Sequence, residues 1–259
     1  MVYTPSALNL VSAMRAETGF ADEMRGHHSP LVDRNRPMRS YDVQYLCRDG
    51  QTRTARHSAP ATPPFQDAFS AFARGTLITT TRGPVAVEDL APGMKVVTNE
   101  RGPSPILWIG SMTVRPETYD RSGSDVRLIR VMAEALGMGR PMTDFMAGPG
   151  ARVLQRTPGL QEQTLRPVRH MLDGTHVIEL RPPSTIQFYH IALFRHATIT
   201  AEGLDTETFH PGPGFDQSMS LEDLNLFISL FPHIRKPVDF GSLAHPRHPL
   251  RNRNGDAAA

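Results

Sequence analysis

The residues able to do chemistry in this sequence are few and scattered. Adjacent His27 and His28 supply two imidazoles, but side by side in a polar stretch they offer no preorganised metal geometry and read as a solvated pair. His245 and His248, near the other end, read the same way. His190 and His196 lie six residues apart around a strand-like run, so a period of two puts them on one face, where a third ligand would complete a joint site. Read by itself, His190 is a core histidine bonded to backbone. Cys47 is the single cysteine, which permits neither an internal disulfide nor a zinc site of its own and reads as a small, half-buried hydrophobe. Gly148-Pro149-Gly150 lacks the glycine spacing and the following Lys-Ser/Thr of a phosphate loop. Trp108, flanked by Leu107 and Ile109, reads as a core aromatic and not a stacking platform. Met132, Met138, Met142 and Met146 are separated by Gly and Pro, so they read as loop and gap-filling residues.

Most of these positions must be held by short strands. Gly75–Gly83 (a strand then a tight turn), Met94–Thr98, Pro105–Gly110, Val126–Met132, Arg152–Leu154, His176–Leu180, Ile186–Phe194 and Ala197–Ala201 are brief β-forming runs broken by Gly, Pro and polar turns. That spacing predicts an all-β domain over 66–216. A helix is predicted over 217–236: Ser220 caps it, Asp223 completes a Ser-x-x-Asp box, and Leu224, Phe227, Ile228 and Phe231 share one face before Pro232 stops it. Its apolar stripe is expected to pack on the protein's own β core. Residues 1–65 are poor in large aliphatics and read as a low-order arm. Within that arm 41–57 has the alternation and the Arg48-Asp49-Gly50 turn of a hairpin, which must dock on something if it forms. The polar, basic stretch 237–259 reads as a disordered tail.

Composition limits the functional classes. A net charge of +2 carries no concentrated basic face, so nucleic acid is not an expected partner. Of 28 basic residues only Lys95 and Lys236 are lysine, a bias that reflects genome composition more than phosphate recognition. With 39% hydrophobic residues a real core can form, while 20 glycines and 23 prolines argue against long helical bundles. The apolar patch over 7–14 is interrupted by Asn9 and Ser12 with no basic residue ahead of it, so no cleaved secretion signal is expected. No apolar run reaches the ~18 residues of a bilayer span. A cytoplasmic location is the default expectation.

Several blocks in order carry a family resemblance. Phe72-Ala-Arg-Gly-Thr-Leu-Ile, Gly83-Pro with Val87-Glu-Asp-Leu, Pro92-Gly-Met-Lys-Val, Leu107-Trp-Ile-Gly, Arg152-Val-Leu, Tyr189-His190 with Arg195-His196, and Phe209-His-Pro-Gly212 together resemble a Hint domain. This is the self-processing fold of hedgehog autoprocessing domains and inteins, and the chain is most similar to the bacterial Hint-domain proteins. The resemblance implies a twisted β horseshoe and a chemistry in which a first-position Cys attacks the preceding carbonyl, turning an amide into a thioester. A His three residues after a Ser or Thr then assists departure of the amide nitrogen, and neighbouring groups support the oxyanion.

The departures from that pattern decide the expectation. Where members begin Cys-Phe-x-x-Gly-Thr, this chain keeps Thr76 but has Ala71 in the Cys position. Where members carry Ser-Pro-Asp-His-Arg-Val-Leu, Gly148 takes the hydroxyl position and Ala151 the His position. Phe194 replaces the common acidic residue before Arg195-His196, so His196 is read as a remnant of the old cleft. Ala71, Thr76, Gly148, Ala151, Phe194 and His196 are therefore expected to form a vestigial site with no catalytic residue, cofactor or metal. Ser70 is a one-residue-displaced alternative nucleophile, but a slip of one in a strand turns the side chain to the other face. The expected role is a scaffold or module for an unknown protein partner. The alternative is active self-cleavage of the N-terminal arm by non-standard residues.

Overall fold

In a computed structural model, residues 36–115, 126–156, 163–181 and 183–248 are described. The His27-His28 pair, most of the N-terminal arm and the last residues of the tail lie outside them. The elements all belong to the unit that runs from Pro37 onward.

Among the described residues fifteen strands build an almost wholly antiparallel sheet. They are β1 (Met38–Leu46), β2 (Thr52–Pro60), β3 (Phe72–Ala73), β4 (Leu77–Thr80), β5 (Gly83–Ala86), β6 (Lys95–Thr98), β7 (Gly102–Val114), β8 (Leu128–Val131), β9 (Phe145–Ala147), β10 (Arg152–Arg156), β11 (Gln163–Pro167), β12 (Val177–Leu180), β13 (Ile186–Leu193), β14 (Thr198–Ala201) and β15 (Leu204–Glu207). Their order is β11-β10-β15-β14-β4-β6-β7-β13-β3-β9-β8-β12, with β1 added to β7, β2 to β1 and β5 to β4. Among the described residues two short α-helices accompany them, α1 (Pro63–Asp67) and α2 (Leu221–Ser229). The fold is all-β, with one more helix than the sequence pattern predicts. A five-residue helix opened by two prolines leaves too short a periodicity to read.

Strand β7 ties the sheet together. Its first residues pair with β6, and its later ones pair with β13 on one side and β1 on the other. β13 is buried on both faces. Phe188 and Ala192 enter one core cluster, while Tyr189, Ile191 and Leu193 enter the other, the strict alternation of a strand with apolar neighbours above and below. A bulge between Ala192 and Leu193 leaves Leu107 without a partner. It lets Ile106 and Ile109 reach the same cluster although they are three residues apart.

Trp108 is fully buried in the second cluster and donates its indole N–H to the Leu230 carbonyl at 2.8 Å. Phe231 lies 4.6 Å from its ring and stacks on Phe209 at 5.0 Å, so α2 closes this core from outside. Ser220 Oγ accepts the Asp223 N–H at 3.1 Å, the cap read from the sequence. Gly110, two residues along the same face, faces the indole: a Cβ there would meet Trp108 Cη2 at 2.2 Å and Phe69 at 2.6 Å. The Trp-x-Gly spacing is thus a packing requirement.

The two ends differ from the sequence expectation. The hairpin is longer than 41–57, spanning Met38–Pro60, and β1 adds to β7 through Tyr41–Tyr45, so these residues are part of the sheet. Ordered structure also continues past Lys236. A 3-10 turn forms over Pro237–Phe240, Leu165 N–H donates to the Pro246 carbonyl at 2.9 Å, and His245 Nε2 bonds Glu100 at 3.0 Å. The polarity of this stretch suggests disorder, but its charged groups have partners far away in sequence.

Candidate functional site

The centre of the molecule holds the backbone on which the family chemistry would act. α1 ends at Asp67, and a tight turn delivers Phe69, Ser70 and Ala71 between β13 and the loop 148–151. Ala71 N–H donates to the Tyr189 carbonyl at 3.0 Å, and the Ala71 carbonyl accepts from Gly148 N–H at 3.0 Å. The Ser70 carbonyl accepts from Gly150 N–H at 3.0 Å, and Ser70 Oγ accepts the same N–H at 3.3 Å. Ala151 N–H closes the loop on Gly148 O at 3.1 Å. Ser70, Ala71 and Ala151 are all buried.

This brings three of the six predicted positions together: Ala71, Gly148 and Ala151. Their chemistry is that of two methyls and a hydrogen. The Gly150 N–H sits on the Ser70 carbonyl as an oxyanion donor would, but no nucleophile stands at Ala71 to attack that carbonyl. Among the described residues Ser70 Oγ has no acceptor to take its proton. The loop is also too close for the family's side chains. A Cβ on Gly148 would lie 2.2 Å from Ser70 O, and one on Gly150 would lie 2.2 Å from Asp67 O. Neither glycine has a left-handed φ, so contact with backbone, and not conformation, excludes a side chain there.

The other three positions serve different ends. Thr76 Oγ1 donates to the Ala73 carbonyl at 2.8 Å within a turn. Phe194 follows β13 and is 77% exposed. His196 is buried and belongs to an ionic network that the sequence reading missed.

Glu207, at the end of β15, is its hub. One carboxylate oxygen meets His196 Nε2 at 3.1 Å and Arg247 Nε at 3.0 Å, and the other accepts from Arg152 at 3.2 Å. Burial works against the charged carboxylate, but the His196 hydrogen bond with Arg247 and Arg152 outweighs it and holds the acid down at about 2. His196 Nδ1 accepts the Ala244 N–H at 2.9 Å, so its proton sits on Nε2, toward Glu207. Next to this group Arg169 reaches both Asp67 oxygens, at 3.4 and 3.1 Å, and the Pro149 carbonyl at 3.1 Å, tying the 148–151 loop to α1.

His190 is not a partner of His196. Its Nδ1 donates to the Asp67 carbonyl at 3.1 Å, as a core histidine bonded to backbone, and its Nε2 is buried with no partner. Burial lowers it to about 4. His210 accepts at Nδ1 from Gly212 N–H and donates from Nε2 to Gly241 O, and burial lowers it also to about 4. Among the described residues no three His, Cys, Asp or Glu are grouped to hold a metal, and no helix is long and apolar enough to cross a membrane.

The family model described as the Hint domain matches residues 70–213, more than half of the 259 residues. The chain belongs to the Hint domain family. The match opens at Ser70, on the buried turn just described, so hairpin β1–β2 and helix α2 are additions packed around the Hint domain. No curated protein matches the chain. Among solved structures it is similar to the bacterial intein-like domain from Clostridium thermocellum, with 14% identity, a TM-score of 0.35, and cover of 54% of this chain and 98% of that one. It is also similar to the MchDnaB-1 intein, with 15% identity, a TM-score of 0.33, and cover of 54% and 100%.

The buried histidines of this Hint domain give its stability a pH dependence. His190 and His210, together with His233, which burial also lowers to about 4, stay neutral in the fold where an unfolded imidazole is protonated. The unfolded state then binds more protons, so their contribution is complete above ~6.5 and is lost as pH falls toward about 4. Each neutral histidine adds a slope of ~1.4 kcal/mol per pH unit in that window. Urea midpoints at three pH values between 7 and 4.5 are expected to fall steadily; a flat profile would show that these histidines are not buried neutral.

Proposed function

We propose that this Hint domain has lost self-cleavage and serves as a scaffold that binds a protein partner. The observation that carries the reading is the closed packing at Ser70–Ala71. The nucleophile position holds a methyl, the general-acid position holds a methyl, and the loop between them lies where a side chain at 148 or 150 would strike backbone. Loss of one group by drift would leave the cavity for it. Here backbone occupies the space of a side chain at 148 and 150, and the added hairpin and helix bury aromatic surface in the core cluster that holds the neighbouring Phe69.

A narrower version of self-processing keeps one supporting feature, the Gly150 N–H on the Ser70 carbonyl. Substituting Ala71→Cys separates the two. If the site is closed as argued, the variant keeps its full mass in the presence of added thiol, because no acid protonates the departing nitrogen. Thiol-dependent cleavage of the variant directly after Ser70 would mean that only the nucleophile is missing, and the scaffold reading would fail.

A further inference from the structure

The ionic network of Glu207 carries more positive charge than its carboxylates neutralise. Arg152, Arg169 and Arg247 all line one cavity of about 360 Å³, and the carboxylates beside them are Glu207 and Asp67. Three guanidinium groups thus face two carboxylates, with side chains only 15%, 34% and 16% exposed. His210, which also lines the cavity, is held neutral by burial and adds no charge to either side.

The donors are unequally used. Arg247 is committed through all three nitrogens, to Glu207, to the Pro211 carbonyl and to the His210 carbonyl. Arg152 gives one nitrogen to Glu207, and Arg169 gives one nitrogen to Asp67 and Pro149. The remaining N–H groups of Arg152 and Arg169 are two forks without a protein partner among the described residues. Glu207 takes a single Arg152 nitrogen, Nη1, and its other oxygen is shared by His196 and Arg247. The proximity of Arg247 and Arg169 also weakens Arg152's hold on its proton, after burial itself, which a bound anion would reverse. The lining also includes the apolar side chains of Phe209, Phe215, Phe227 and Met219.

We propose that this cavity binds a small organic monocarboxylate with an apolar body, its carboxylate on the free N–H groups of Arg152 and Arg169 and its body against Phe215 and Phe227. A planar carboxylate matches the guanidinium fork, and a single negative charge matches a surplus of one. A phosphate dianion would overshoot that surplus and leave the apolar side chains uncovered. The volume sits at the small end of ligand pockets, ~300 to 1,000 Å³. This site goes beyond the scaffold reading and does not rest on it, because the cavity is the same whether or not the chain cuts itself.

The test is calorimetric titration of the full chain with 3-phenylpropionate, its neutral amide and inorganic phosphate. The acid is expected to bind saturably, with the amide and phosphate each about tenfold weaker or more, the loss of one charge-assisted contact. Arg169→Gln should weaken the acid by a similar factor. Since Arg169 also bonds Asp67, Phe215→Ala provides a second variant that leaves every charge in place and should weaken the acid but not phosphate. Equal binding of the amide would make the cavity a plain apolar groove, and tighter binding of phosphate would make it a phosphate site. Either result, or no saturation at millimolar acid, overturns the proposal.

Discussion

Gly150→Asp, which restores the side chain that Hint relatives carry, is expected to unfold this protein more easily instead of repairing it. The new Cβ falls 2.2 Å from the Asp67 carbonyl oxygen and 3.0 Å from Asp67 Cα, atoms of the backbone that cannot rotate away. To admit it the loop must retreat, which breaks the Gly150 N–H bond to Ser70 and pulls Pro149 from Arg169. An overpacked core site of this kind costs ~3 kcal/mol, at the upper end for a single added group. In a domain of this size that lowers Tm by ~6–12 °C. Gly148→Ser should behave alike, with Ser70 O and Phe188 as the obstacles. Gly150→Ala should already show most of the loss, since Cβ is the offending atom. Thermal melts decide it, and a near-native Tm in either variant would mean that the loop has room for the family's chemistry.

Glu207→Gln is expected to cost about as much by a different route. The amide keeps the volume and loses the charge, leaving the guanidinium groups of Arg152 and Arg247 buried beside an oxygen that no longer neutralises them. Breaking a buried ion pair at one partner costs ~3–5 kcal/mol, much of it the uncompensated charge that remains. The same change loosens residues 244–248, which reach the sheet through Arg247 and the Ala244 N–H on His196. Melting temperature should therefore fall, and limited proteolysis should open sites around residues 241–248 before the sheet is cut. A variant within ~1 kcal/mol of the parent, uncut there, would show the network to be ornamental.

How much of this was legible depended on where each residue's partner lies. β7 and β13 could be read because their neighbours are apolar on both faces and the residues are β-formers. The Trp-x-Gly spacing on β7 likewise became a packing fact once Gly110 met the indole. β11 and β15 could not be read. Gln163-Thr-Leu-Arg-Pro and Leu204-Asp-Thr-Glu are largely polar strings whose strand form rests on their ladder partners β10 and β14, and the buried Glu207 in β15 finds its counter-charges in Arg152 and Arg247. The tail up to His248 hid for the same reason: Arg247 looks solvated until its carboxylate, 40 residues upstream, is placed beside it. At the centre, Ala71, Gly148 and Ala151 stood out only against the family pattern. That pattern marks where this chain departs from it but not that backbone closes the space at 148 and 150, which needed the distance from loop to backbone.

The measurement that tests the central claim most directly is the intact mass of freshly purified full-length protein followed over several days. Parallel samples receive a strong thiol or hydroxylamine, which trap any thioester or ester. A Hint domain without self-cleavage keeps its 28.7 kDa in every sample. Fragments meeting at Phe69–Ser70 or Ser70–Ala71 would contradict it, and the junction would name the nucleophile.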